Sequence, residues 1–202
     1  LPAVWAMAEI KGLSGKAVSV EPATGFAFAS PSSASEPMRS PSALAPASPV
    51  AWSPPVAARV RIGASTTDVA VFGGGYDPGQ DNRTFRQDSI GNAIYMVDVL
   101  DGTLVWSAGD DDSHDLPLPS SMNYSIPAPV KPLDLNGDGL AERFYVGDMG
   151  GQLWRFDIAN GEDRDALVKG RVLASLGGAA VDSPATASLR RFYEAPDVVP
   201  TI

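Results

Sequence analysis

A chain of 202 residues without a single cysteine excludes disulfides, thiolate metal sites and cysteine nucleophiles. Its net charge of −9 lies wholly in residues 51–202, because residues 1–50 hold three acids and three bases; such an acidic surface repels phosphate backbones, so no nucleic-acid partner is expected. Hydrophobic residues make up 44% of the chain, as in a globular protein, but there is no run of 18 apolar residues, so no transmembrane segment is expected. The chain opens and closes within apolar stretches, as a piece of something longer would, and any export signal is expected upstream of Leu1.

Residues 1–50 are expected to be a Pro/Ser/Ala-rich segment, poorly ordered or the remnant of a preceding blade. "KAVSVEP" and "GFAFAS" could pair as a short hairpin. Residues 30–55 then hold seven of the 18 prolines, mixed with Ser and Ala. Proline removes backbone donors and the small residues bury little, so this stretch reads as a loop. From Trp52 onward short alternating or β-branched runs predict strands. "PVAARVRIG", "DVAVFGGG", "NAIYMVDV" and "TLVWSA" come first, the last two joined through the Asp101-Gly102 turn of a hairpin. An acidic, proline-bearing loop over 109–127 follows. "APVKPLDL", "ERFYVGD", "GQLWRFDI" and "GRVLASL" then repeat the four-strand order, and no long amphipathic helix is apparent.

The repetition is also visible residue by residue. "GNAIYMVDVLDG" (91–102) aligns with "GGQLWRFDIANG" (150–161), "VFGGG" (71–75) with "YVGDMGG" (145–151), and "PPVAARV" (54–60) with "APVKPLD" (128–134), with a possible third start at 182–189. A repeated four-strand unit predicts an all-β fold, a partial β-propeller of about two to three blades over residues 51–202. Two blades cannot close a ring, so the arc is expected to belong to a larger propeller. An open β-sandwich is the alternative.

One loop carries metal chemistry. In "DLNGDGLAE" oxygen ligands fall at alternating positions: Asp134, Asn136, Asp138, the backbone carbonyl of Leu140, and Glu142, with Gly139 at the sixth position where the chain must turn sharply. This is the spacing of an EF-hand-like calcium loop. The twelfth position departs from it, holding Tyr145 where a bidentate Glu would stand, and the flanks read as strands. Without a cation the same residues would form an Asx-rich turn that crowds three like charges.

These residues resemble the PilY family of type IV pilus biogenesis factors and pilus-tip adhesins, in its C-terminal region. The resemblance rests on "YSIPAPVKPLDLNGDGLAERFYVGDMGGQLWRFDI" (124–158), on "AWSPPVAARVRI" and "VAVFGGGYD" within 51–77, on "DSIGNAIYMVDVLDGTLVWSA" (88–108) and on "RRFYEAPDV" (190–198). It implies a modified propeller with a Ca2+ loop inserted in a blade, the ligands being Asp134, Asn136, Asp138, Leu140 and Glu142. It further implies an extracytoplasmic place at the pilus tip, cell surface or outer membrane, with pilus minor subunits and host or abiotic surfaces as partners, and a part in twitching motility and surface attachment. The Arg-Gly-Asp motif of some members is absent.

Other constellations favour structural readings. "FGGGYD" lacks the Lys-Ser/Thr of a phosphate loop and reads as a turn. "AGDDDSHDL" (108–116) gathers acids around His114, the lone histidine, as a solvated loop or a second cation site. No G-x-S-x-G occurs, and no catalytic residue is assigned. Trp106 and Trp154 read as packing between blades. Asn82-Arg83-Thr84 and Asn123-Tyr124-Ser125 match the glycosylation pattern, which is short enough to arise by chance. A quinoprotein-dehydrogenase-like propeller enzyme shares the aliphatic-aromatic-x-x-Asp strand, but nothing here resembles a quinone pocket; the chain is expected not to be an enzyme.

Overall fold

The computed structural model describes residues 53–81, 87–177 and 190–199. The expectations for residues 1–50, for Asn82 and for the third repeat at 182–189 lie outside the described residues. Among the described residues the fold is all-β, in two sheets, with no α-helix.

The first sheet is an antiparallel meander of β1 (Val56–Ile62), β2 (Ser65–Gly73), β3 (Ala93–Asp98) and β4 (Leu104–Gly109), with a two-residue β5 (Leu116–Pro117) added parallel to β4. The second is a meander of β6 (Lys131–Leu133), β7 (Arg143–Gly147), β8 (Gln152–Ile158) and β9 (Val168–Ser175). The sequence repeat therefore places "NAIYMVDV" and "GQLWRFDI" on the third strand of each meander. Single 3-10 turns lie at Pro78–Gln80 and Arg164–Ala166.

Side-chain alternation sets the register. Val60, Val69 and Val71 are buried while Ala57, Arg59 and Arg61 face solvent, and a slip of one residue would exchange the two sets. The guanidinium of Arg59 bonds its cross-strand neighbour Asp68 at 2.6 Å on that outer face. On β8, Trp154, Phe156 and Ile158 point inward, and Arg155 and Asp157 outward. β3 is buried over Ala93–Met96 on both faces, which explains its continuous apolar run. It turns into β4 where the amide of Gly102 donates to the carbonyl of Asp98 at 2.9 Å.

One hydrophobic core serves both sheets. Trp106 of β4 meets Phe144 of β7 and Phe156 of β8 edge-on, each at 6.1 Å, while those two rings stack at 4.7 Å. Such pairs contribute about 0.5–1.5 kcal/mol each beyond the area they bury. Met122, Ile126, Ala128 and Val130, from the segment between β5 and β6, complete that core. Trp106 and Trp154 are thus packing residues, as expected. The outer edge of β1 is occupied by the second half of the chain. The carbonyls of Arg59 and Arg61 accept from the amides of Ala141 and Gly161 at 2.8 and 2.9 Å, and the Arg61 amide donates to Asn160 Oδ1 at 2.8 Å.

Candidate metal centre

The loop between β6 and β7 is built by its own side chains. Both Asp134 oxygens accept backbone amides, Oδ1 from Gly137 at 2.6 Å and Oδ2 from Gly139 at 2.8 Å. Asn136 Oδ1 accepts from the Asp138 amide, and Asp138 Oδ1 from the Leu140 amide, both at 2.8 Å. Each short acceptor thus turns the chain two to five residues on, which is why Asp and Asn occupy these places. Gly137 and Gly139 sit at φ 81° and 86°, the left-handed region that a side chain disfavours. The exit is fixed to the body. Glu142 Oε2 accepts from the Leu135 amide at 2.6 Å, Leu140 and Ala141 are buried, and Asn160 Nδ2 donates to the Ala141 carbonyl at 2.9 Å.

This folding brings Asp134, Asp138 and Glu142 together, with one carboxylate oxygen of each within 4.8 Å of the others. Asn136 joins through its amide nitrogen, which donates to Asp138 Oδ2 at 3.3 Å. Leu140 is buried, and with no ligand atom in its side chain it could serve only through its backbone carbonyl. Tyr145 lies in β7 beside Arg143, whose guanidinium donates to its hydroxyl at 3.5 Å, so the twelfth position adds no carboxylate. Two oxygens bound to one calcium at 2.3–2.6 Å stand at most about 5 Å apart, so the carboxylate spacing fits that ion, and the donor set is all hard oxygen. A carboxylate has about four lone-pair sites, so accepting two amides leaves Asp134 capacity for an ion. Those amides, Gly139 foremost and then Gly137, hold the Asp134 carboxyl below the usual carboxylate range.

The other constellations separate from this centre. The acids of 110–115 do not converge as these three do among the described residues. Asp115 turns inward instead and takes a two-pronged ion pair from Arg164 at 2.8 and 2.9 Å, while accepting the Ser107 amide at 2.9 Å. His114 lies against Gly109, its ring 6.0 Å from that of Tyr95. The glycines of "FGGG" allow close backbone approach: a Cβ on Gly73 would lie 2.2 Å from the Ile126 carbonyl, and one on Gly74 2.7 Å from that of Gly91. In the second glycosylation-like triplet Ser125 is fully buried.

Sequence reasoning missed a second acidic centre. Asp148, at the end of β7, is fully buried; Oδ1 accepts the amides of Gly150 and Gln152 at 2.9 and 2.8 Å, and Oδ2 the indole of Trp154 at 2.7 Å. The local signal was an acid in a glycine-rich turn six residues before a tryptophan, the "GDMGGQLW" of 147–154.

No protein-family model matches the chain. Over 92 residues it is 31% identical to a protein described as a type IV pilus biogenesis factor PilY1 homolog from Xylella fastidiosa, a match covering 45% of this chain and 6% of that protein. The similarity is to the PilY family. The resemblance carried by the motifs is thereby borne out, and the matched part of this chain spans only a small fraction of that PilY1 homolog. The C-terminal domain of Pseudomonas aeruginosa PilY1, a crystal structure, is 23% identical, with a TM-score of 0.43 over 68% of this chain and 27% of that one.

Proposed function

We propose that this chain is a calcium-binding β-propeller portion of a type IV pilus assembly or tip-adhesin protein, standing outside the cell at the pilus tip or surface. The observation that supports calcium is the convergence of Asp134, Asp138 and Glu142 at the spacing such an ion requires. The support for the pilus is the PilY resemblance, and the support for the propeller is the repeat of two four-strand meanders sharing one core. Among the described residues no helix is long and apolar enough to cross a membrane. Minor pilus subunits and host or abiotic surfaces are the partners this reading carries.

In this reading the ion acts on order. Three carboxylates held together repel until a divalent cation neutralises them, and the loop then keeps one geometry. Because Ala141 is bonded to β1 and to Asn160, an ordered loop also steadies the contact between the two sheets. Calcium at 100 times its dissociation constant would add about 2.7 kcal/mol of stability by mass action. Calorimetric titration of the full chain with calcium, against magnesium and an Asp138→Ala variant, tests it. One saturable calcium site, lost in a variant that keeps its β-sheet circular dichroism, is expected. A folded wild-type chain that takes up no calcium would reduce the loop to a polar turn.

A further inference from the structure

The face of the second sheet turned away from the shared core is basic, on a chain whose net charge is −9. Cross-strand register lays it out in two rows. Lys131, Tyr145, Arg155 and Arg171 stand opposite one another from β6 to β9. Two residues along the strands, Leu133 is followed across the sheet by Arg143, Asp157 and Lys169. Phe144 and Phe156, between the two rows, point into the core, so the pleat puts both rows on the outer side.

Five cations there share one carboxylate. Arg143 Nε donates to Asp157 at 2.6 Å, and Arg155 Nε and Nη2 donate to it at 2.9 and 2.8 Å. Both forks are held in place and still reach solvent, with side chains 26% and 24% exposed. Among the described residues the side chains of Lys131, Lys169 and Arg171 have no hydrogen-bond or ion-pair partner. One end of this face already receives a segment of the chain. Gly147 follows Tyr145 by two residues in β7, and a Cβ on it would lie 2.4 Å from that of Phe192, whose amide donates to the Asp148 carbonyl at 3.1 Å. Tyr193 then turns to Tyr76, their rings 6.4 Å apart, and Lys169 and Arg171 stay exposed. The opposite end is acidic: β6 runs on into the carboxylates of the metal loop, and Glu162, Asp163 and Asp165 lie between β8 and β9.

We propose that these two rows are a docking surface for a short acidic segment of a partner protein. Four strands spaced by about 4.8 Å make a row about 14 Å wide, which an extended segment at about 3.3 Å per residue crosses in about four or five residues. Guanidinium forks match carboxylates two bonds at a time, and Arg and Tyr are enriched where proteins meet. Arg143 and Arg155 are already ordered by Asp157, so little side-chain freedom is lost when a carboxylate arrives. A uniform polyanion broader than the rows would also meet the acids of the two flanking loops, which repel it; a short acidic segment does not reach them. The surface depends on neither the metal loop nor the pilus reading.

The test is NMR titration of the full chain with hexaglutamate in metal-free buffer, where no cation can bridge the peptide to the metal loop. Saturable shifts of the Nε–H signals of Arg143, Arg155 and Arg171 are expected, weakening as salt rises, with none from hexaglutamine. The double variant Lys169→Glu, Arg171→Glu changes two exposed side chains on the edge strand β9. It is expected to keep its circular dichroism and to bind at least about tenfold more weakly. Absence of saturable shifts, equal binding of hexaglutamine, or an unchanged affinity in the variant overturns the surface; should the variant not fold, the wild-type shifts decide. A heparin fragment that shifts the same signals at lower concentration than hexaglutamate overturns the protein partner in favour of a sulfated glycan.

Discussion

Asp134 and Asp148 are the same side chain held by nearly the same donors, yet their carboxyls move in opposite directions. Each accepts two backbone amides from a glycine-rich turn, at 2.6 and 2.8 Å for Asp134 and at 2.9 and 2.8 Å for Asp148, which has an indole besides. Asp134 is exposed, and the amides hold its carboxyl down; Asp148 is buried, and burial pushes it up. Hydrogen bonds favour the charged form of both carboxyls, but at Asp148 burial outweighs them. The exposed carboxyl can therefore meet an ion from solvent, while the buried one ties its own turn to Trp154.

The contrast can be broken most severely at Asp148. Asp148→Ala leaves the Gly150 and Gln152 amides and the Trp154 indole buried without an acceptor, at about 1–3 kcal/mol each. A net loss of about 3 kcal/mol or more is expected in urea unfolding at pH 5. Gly150→Ala comes next. Its methyl would meet the Tyr124 ring, and overpacking of this kind costs about 1–3 kcal/mol. Smallest is Gly139→Ala in the metal loop, where nothing lies within 4 Å of the added methyl and only the positive φ of 86° resists it. The expected cost is about 1 kcal/mol, read from the same unfolding curves. Equal losses for the two glycine variants would mean that the two turns do not differ in packing as described.

The two centres also differ in how much of them the sequence reveals. The loop at 134–142 is legible because its acids, its amide and its two glycines fall within nine residues, so spacing alone predicts which oxygens meet. Asp148 shares that local character only with Trp154. Its other neighbours, Asp88 and the segment around Ser125, are brought to it by tertiary packing, and no periodicity encodes that. The strands divide in the same way. Eight were readable from alternation or β-branched runs, because all but the three-residue β6 bury residues on one face or both. β5 was not, since two residues, one of them a proline without an amide donor, carry no period. The inward turn of Asp115 was equally hidden, because its partner Arg164 is 49 residues away.

The covered edge of β1 has a consequence for synthesis. Arg61 waits for Asn160, 99 residues further along the chain, before its outward amide finds a partner. At elongation rates of about 5–20 residues per second, that is an interval of roughly 5–20 s. During it the nascent chain presents an open strand edge, a template for pairing with a neighbour on the same messenger. Arg59 and Arg61, side by side on that strand with their side chains exposed, give such an encounter two like charges to overcome.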